Sequence, residues 1–286
     1  RRLSSAASDV YKRQVRMLSM NDAHIYCTID QVAQEVGSNV KMVQDYYAAF
    51  GFEDYSFRLS LWDPEKTEKY IDQPENWKKS EDRLRQIMDD LGVDYTESVG
   101  EAAFYGPKVD IQFKTALGRE ESMSTIQLDF AAKERFGLSY MDENGNQNDE
   151  VLVIHRAPLS THERFVAFLT EHWMGNFPTW ISPTQVQIIT ISERHSDYAG
   201  EVASRLKEHK VRVTVDDSDS TIGRKIRTHR KMRPAYMLII GDGEAADGTV
   251  SIRARNGDQR NGVPLEDFIV GVTEEINNRS SKLSLV

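Results

Sequence analysis

At Phe177–Pro183 (FPTWISP) the hydrophobic rhythm of the chain changes, and no single layered architecture accommodates both sides of the change. Upstream, short apolar runs carry polar residues at every second position, Val109–Phe113 (VDIQF), Thr125–Phe130 (TIQLDF) and, earlier, Phe57–Leu61, and Val151–His155 (VLVIH) is a further strand-length run that ends on a histidine. Period-two alternation puts those polar groups on one side of a sheet, as in antiparallel strands with one packed and one wetter face. Helices are predicted around them. Over Thr28–Phe50, Thr28 and Gln31 have capping-box spacing, Val32, Val36, Val40, Val43, Tyr47 and Phe50 recur every three or four residues, and Gly51 is the stop. Ser80–Leu91 and Thr161–Phe177 have the same character.

Downstream, strands and helices alternate: strands over 185–191, 211–215, 235–240 and 249–255, helices over 196–209, 222–232 and 264–278. That order predicts a small α/β domain with a mixed sheet. The fold class expected is therefore an α+β region over 15–180, an antiparallel sheet with flanking helices, followed by an α/β domain over 183–286. The first fourteen residues (RRLSSAASDVYKRQ) are polar, lack periodicity and read as a non-native leader.

Composition narrows the function classes. Hydrophobic residues make up 39% and charged residues 28%, which suits a globular chain, and no apolar run nears the ~20 residues of a membrane span. With one cysteine there is no internal disulfide framework, and a cytoplasmic location is expected. The net charge of −9 argues against a nucleic-acid partner until it is divided. Residues 183–286 hold 16 Lys and Arg against 15 Asp and Glu, so the acidity belongs to the first part. Ile222–Pro234 (IGRKIRTHRKMRP) is the densest basic stretch, either a solvated helix face or a phosphate-contacting surface.

The cysteine lies in Met20–Thr28 (MNDAHIYCT). On a strand, residues three apart point to opposite faces, so Asp22 and His24 share one side while Cys27 packs on the other as a small hydrophobe. Gln127 and Asp129 share a face of their own strand, and His155 ends another. A sheet presenting Asp22, His24, Gln127, His155 and Arg164 to one cleft offers two imidazoles to a metal, polar groups to a ligand and a guanidinium to phosphate. The loop Gly100–Lys108 (GEAAFYGPK) adds a phenol and an ammonium, or is simply a turn built on Gly106 and Pro107.

Several of these segments, in this order and spacing, resemble the threonyl-tRNA synthetases of class II. They are Met20–Thr28, Gly100–Phe113, Ser124–Phe136 (STIQLDFAAKERF) and Ile154–Phe165 (IHRAPLSTHERF), then Phe177–Val186, Ile222–Arg227 and Pro234–Glu244. The resemblance implies that His24 and His155 are two zinc ligands and that Asp22, Tyr105 and Gln127 contact threonine. It implies that Lys108 belongs to the same catalytic site, that Arg164 and Thr125 meet ATP, and that Glu244, Arg253 and Asp219 read an anticodon. It also implies one Zn2+ per subunit, Mg2+ with ATP, and threonine, ATP and tRNA-Thr as partners of a homodimer, with no membrane.

The sequence also departs from that pattern. Met20 and Ser122 stand where glutamine is frequent, and Ser160 where glycine is. A third zinc ligand, an upstream cysteine, has no counterpart, and neither do the motif 1 helix, the motif 2 arginine or an editing domain. The chain is accordingly expected to be a C-terminal portion that does not activate threonine alone. Two rivals stay open: a noncatalytic tRNA-binding paralogue, and a sister enzyme for proline, glycine or histidine.

Overall fold

The computed structural model describes residues 16–115 and 118–286, so the expected leader at 1–14 lies outside the described residues. The chain divides into two compact units, one ending at Phe168 and one beginning at Leu169. In order, the first contains β1 (Ala23–Cys27), α1 (Val32–Phe50), β2 (Tyr55–Leu61), α2 (Pro74–Asp90), β3 (Tyr95–Val99), β4 (Lys108–Lys114) and β5 (Glu120–Asp129). There follow α3 (Ala132–Phe136), the two-residue strands β6 (Tyr140–Met141) and β7 (Gln147–Asn148), β8 (Leu152–Ala157) and the start of α4 (His162–His172). Six strands form one sheet in the order β1-β8-β5-β4-β2-β3. Every pair is antiparallel except β2 and β3, which α2 connects in parallel.

The alternation read from sequence sorts the two faces. Ile126 and Leu128, Val109 and Ile111, and Phe57 and Leu59 are all at most 5% exposed. Val32, Val36, Val40, Val43 and Tyr47 of α1 are at most 2% exposed, the stripe that four-residue spacing demands. Each such side chain contributes about 1.5–3 kcal/mol on burial. Tyr47 shares a buried hydrogen bond with Ser124, whose hydroxyl in turn donates to the Pro158 carbonyl.

Element ends moved for local reasons. Helix α1 starts at Val32 rather than Thr28, because only half of the capping box forms: the Thr28 N–H donates to the Gln31 side chain at 2.9 Å, and no side chain caps the helix. Helix α2 starts at Pro74, whose fixed φ suits a first turn, six residues before the predicted start. Helix α4 ends five residues earlier than expected. Met174 and Gly175 both adopt positive φ (49° and 71°), and the Gly175 N–H donates to the Thr170 carbonyl.

The second unit contains β9 (Val186–Thr190), α5 (Ser196–Glu208), β10 (Val213–Asp216), α6 (Ile222–Arg230), β11 (Tyr236–Ile240), α7 (Asp242–Asp247), β12 (Thr249–Ala254), β13 (Gln259–Pro264) and α8 (Leu265–Asn277). Its sheet runs β10-β9-β11-β12-β13, parallel across the first three strands and antiparallel beyond. The mixed sheet was expected; α7 and β13 were not. Val186, Ile188, Leu238, Ile240, Val250 and Ile252 pack with Ala199, Val202 and Leu206 of α5 and with Phe268, Ile269 and Val272 of α8. Buried Glu275 ties this core together: it accepts hydrogen bonds from the Tyr236 hydroxyl (2.7 Å), the Ser284 N–H (3.0 Å) and the Thr179 hydroxyl.

Ser160, in the turn from β8 to α4, has φ of +53°, the left-handed region where a Cβ is penalised by roughly 1–2 kcal/mol. The greater freedom of an unfolded glycine offsets part of that gain. Ser160→Gly is therefore expected to stabilise the chain by about 0.5–1 kcal/mol in urea unfolding.

Candidate functional site

One row of residues crosses the polar face of the first sheet. His24 on β1 is register-paired with His155 on β8, His155 with Gln127 on β5, Gln127 with Lys108 on β4, and Lys108 with Ser60 on β2. Residues far apart in sequence thus become neighbours through cross-strand pairing alone. The His24 and His155 rings meet edge to face with centroids 4.4 Å apart. Asp22 immediately precedes β1 and lies close enough to Tyr105 for its charge to act on that phenol. Cys27 is 6% exposed on the opposite face, and burial, then the charge of Glu35, pushes its thiol up to about 11.

Tyr105 reaches this row from the loop before β4. Its hydroxyl donates to Gln127 Oε1, and the Gln127 amide donates on to Thr125 Oγ1 at 3.3 Å. The Tyr105 ring lies 5.1 Å from that of His155. The loop can lie this close to β5 because residue 106 is glycine: a Cβ there would stand 1.8 Å from the Leu128 carbonyl oxygen.

Two carboxylates that sequence reasoning had not placed in the site hold it in shape. Asp129 Oδ2 is 2.9 Å from His155 Nε2, while its Oδ1 accepts the N–H groups of Ala131 and Ala132, both at 2.8 Å. Asp110, 1% exposed, accepts from Lys108 Nζ and the Ser60 hydroxyl, both at 2.7 Å, and from Arg58 at 3.2 Å. Its Oδ1 has no partner among the described residues. Ser122, at the position where glutamine is frequent, accepts from the Gln112 amide (2.6 Å) and from Arg58 (3.5 Å). The signal for both acids was their place on the polar side of the alternation, Asp110 two residues after Lys108 and Asp129 two after Gln127.

Arg164 is not brought to the row. Its guanidinium pairs with Glu121, six residues before Gln127 on β5. Among the described residues no group of three or more His, Cys, Asp and Glu side chains is placed to hold a metal ion. The paired imidazoles nevertheless suit zinc as a donor set, and the Asp129 contact is the orienting partner that a ligand histidine takes.

In the second unit two of the anticodon candidates, Arg253 and, through Ser251, Glu244, share one side of the sheet. Arg253 is register-aligned with Met237, Gln187 and Thr214, and Ser251 with Ile239, Ile189 and Asp216, the rows opposite the α5–α8 core. Glu244 Oε1 accepts from the Ser251 hydroxyl at 2.6 Å and Oε2 from the Gly241 N–H at 2.9 Å. Burial would raise the Glu244 carboxyl, but these hydrogen bonds outweigh it and hold it below its usual range. Asp219 is exposed in the loop from β10 to α6. Asp219 and Glu244 follow the carboxyl ends of parallel strands, where open α/β sheets bind ligands.

Burial, then the charges of Asp129 and Asp22, pushes the Tyr105 phenol above its ordinary value. Its burial is harmless while the phenol is neutral and destabilises the fold as pH rises from about 10 through the raised folded-state value. Alkaline absorbance titration of the chain against Tyr105→Phe is expected to show this tyrosine ionising late, and Gly106→Ala, by displacing the loop, to return it toward about 10.

Known proteins share both halves of this arrangement. The tRNA synthetase class II core domain (G, H, P, S and T) matches residues 12–173, and the anticodon binding domain matches residues 185–275. The threonine–tRNA ligase of Bacillus velezensis is 48% identical over 258 residues, covering 90% of this chain and 40% of that protein. That of Staphylococcus aureus is 46% identical over 265 residues, covering 92% and 41%. The chain thus spans about two fifths of the length of these relatives. Among solved structures, the RNA binding domain of threonyl-tRNA synthetase from Cryptosporidium parvum Iowa II superposes with a TM-score of 0.83 at 35% identity, covering 92% of this chain and 65% of that one. With a synthetase core over more than half its length and an anticodon-binding domain after it, the chain belongs to the class II tRNA synthetases.

Proposed function

We propose that the chain is the amino-acid-selecting and anticodon-binding part of a threonine–tRNA ligase. The observation that carries the reading is the row His24–His155–Gln127–Lys108, with Asp22 and Tyr105 beside it. Threonine and valine are nearly isosteric, so an apolar pocket separates them poorly. Groups aimed at a hydroxyl reject valine by leaving themselves unpaired. Asp22 accepts the threonine hydroxyl, and the Tyr105–Gln127 pair forms the polar wall. Zn2+ on His24 and His155, when bound, supplies a Lewis-acidic position for the amino and hydroxyl groups of threonine.

For activation, the threonine carboxylate oxygen bonds to the α-phosphorus of Mg2+-ATP as the bond to pyrophosphate breaks, with charge stabilisation rather than a protein nucleophile. Lys108, steered by Asp110, and Thr125 border that side of the row. Arg164 meets the phosphates after exchanging its Glu121 partner. The whole enzyme is taken to be a cytoplasmic homodimer acting on tRNA-Thr. Among the described residues no helix is long and apolar enough to cross a membrane.

The decisive experiment is amino-acid-dependent pyrophosphate exchange in a polypeptide carrying this chain at the length of its relatives. Threonine is expected to support exchange and valine to fail. Exchange with proline or glycine but not threonine sinks the reading. Exchange with no amino acid, alongside intact binding of the threonine anticodon stem-loop, favours the noncatalytic tRNA-binding alternative, for which the Arg164–Glu121 pair is the specific observation.

Zinc has its own readout. Asp129→Asn removes the carboxylate that orients His155 and is expected to weaken zinc binding by about 10–100-fold in competition with a chelating dye. Equal zinc affinity in the two proteins would remove Asp129 from that role.

A further inference from the structure

The basic stretch 222–234 is not one uniform solvated face, because the fold sorts its six cations. Lys225 is 2% exposed and donates to the Thr190 carbonyl at 3.0 Å, to the Thr190 hydroxyl at 3.3 Å and to the Asp216 carbonyl at 3.4 Å. His229 meets Asp216 at 2.6 Å. These contacts clamp α6 onto the side of the sheet that carries Arg253 and Ser251. Arg233 is occupied with the Met174 carbonyl. Arg224, Arg227, Arg230 and Lys231 are left exposed, and no carboxylate of a described residue lies within salt-bridge distance of any of them.

In a chain with 45 acidic residues, four neighbouring cations without a carboxylate partner repel one another on a short helix, and the dipole offsets this only in the last turn, which holds Arg227 and Arg230. The first turn offers no such relief. It holds no acidic residue, Thr221 makes no side-chain cap, and Arg224 sits where the helix dipole disfavours positive charge. The surface is also concave. Arg224, Arg227 and Lys231, spaced to share one helix face, line a cleft of about 410 Å³ with Thr221, Gly223 and Thr228. A Cβ on Gly223 would meet nothing within 4 Å, so packing does not require the bare backbone there, and an approaching ligand can use it.

We infer that Arg224, Arg227 and Lys231 form a phosphate-binding cleft for the backbone of a bound RNA loop, beside the face on which Glu244 and Arg253 read bases. This inference rests on the anticodon-binding reading and assigns a separate task to separate residues. The α6 cations supply sequence-independent, salt-sensitive affinity, and Arg253 with Glu244 supplies preference.

The test measures binding of the threonine anticodon stem-loop and of a scrambled loop across a potassium chloride series, using the full chain. Arg224→Gln, Arg227→Gln and Lys231→Gln combined should weaken both RNAs alike, by roughly tenfold, and flatten the plot of log affinity against log salt by about 2. The three positions are exposed, so the core is untouched, and circular dichroism checks the fold. Lys207→Gln with Lys210→Gln, in the last turn of α5 and just after it, across the sheet, should leave the slope within about 1 of the parent. Arg253→Ala should lose the preference for the threonine loop while keeping the slope.

An unchanged slope in the triple variant overturns the inference, and so does an equal loss from the α5 variant, which would make the effect one of net charge. A parent chain that binds both loops equally, with the slope still falling in the triple variant, keeps the phosphate cleft and removes the threonine anticodon reading. No RNA binding by the parent chain overturns both.

Discussion

The hydrogen-bonded register of β8 between β1 and β5 is the constraint on which the first unit depends. β8 pairs with β1 along five residues and with β5 along five, and the same ladder sets His155 between His24 and Gln127. The side-chain period is two, so the register that brings the imidazoles together also turns Ile154 into the core at 0% exposure. Apolar burial beneath the sheet thereby positions a polar site above it, without a separate device for each residue.

That site is expensive to build. Asp110 is an almost fully buried carboxylate, and burying a charge is tolerable only when partners surround it. Three donors converge on one of its oxygens, which leaves the other with none among the described residues. Asp129 is better satisfied, because two backbone N–H groups and a histidine share it. The two acids fix Lys108 and His155 in place before any ligand arrives, which spares a binding event the cost of ordering them.

The faces of the strands were legible in the sequence because alternation is local. Asp22 and His24 stand together opposite Cys27, and Gln127 stands with Asp129, as period two requires. Which strand lies beside which is a long-range matter that periodicity does not encode, so the pattern only offered His24 and His155 to one cleft, and the resemblance made them a pair. The same reason hid the Asp129–His155 and Glu121–Arg164 contacts. Two edge strands, β3 and β13, were missed for a different cause. β13 is exposed along most of its length, and β3 (YTESV) buries no residue, so neither shows apolar alternation. The basic stretch shows the limit most plainly: its composition gave a charge, but only the fold separates buried Lys225 from exposed Arg224 and Arg227.

Core and site in the first unit share one reading frame. An extra residue inserted in the middle of β8 would not merely move a ligand; it would exchange Ile154 and His155 between oil and water at one stroke. The fold thus proofreads its own chemistry against such slips, since a chain that misplaces its imidazole also loses the apolar contacts that keep it folded.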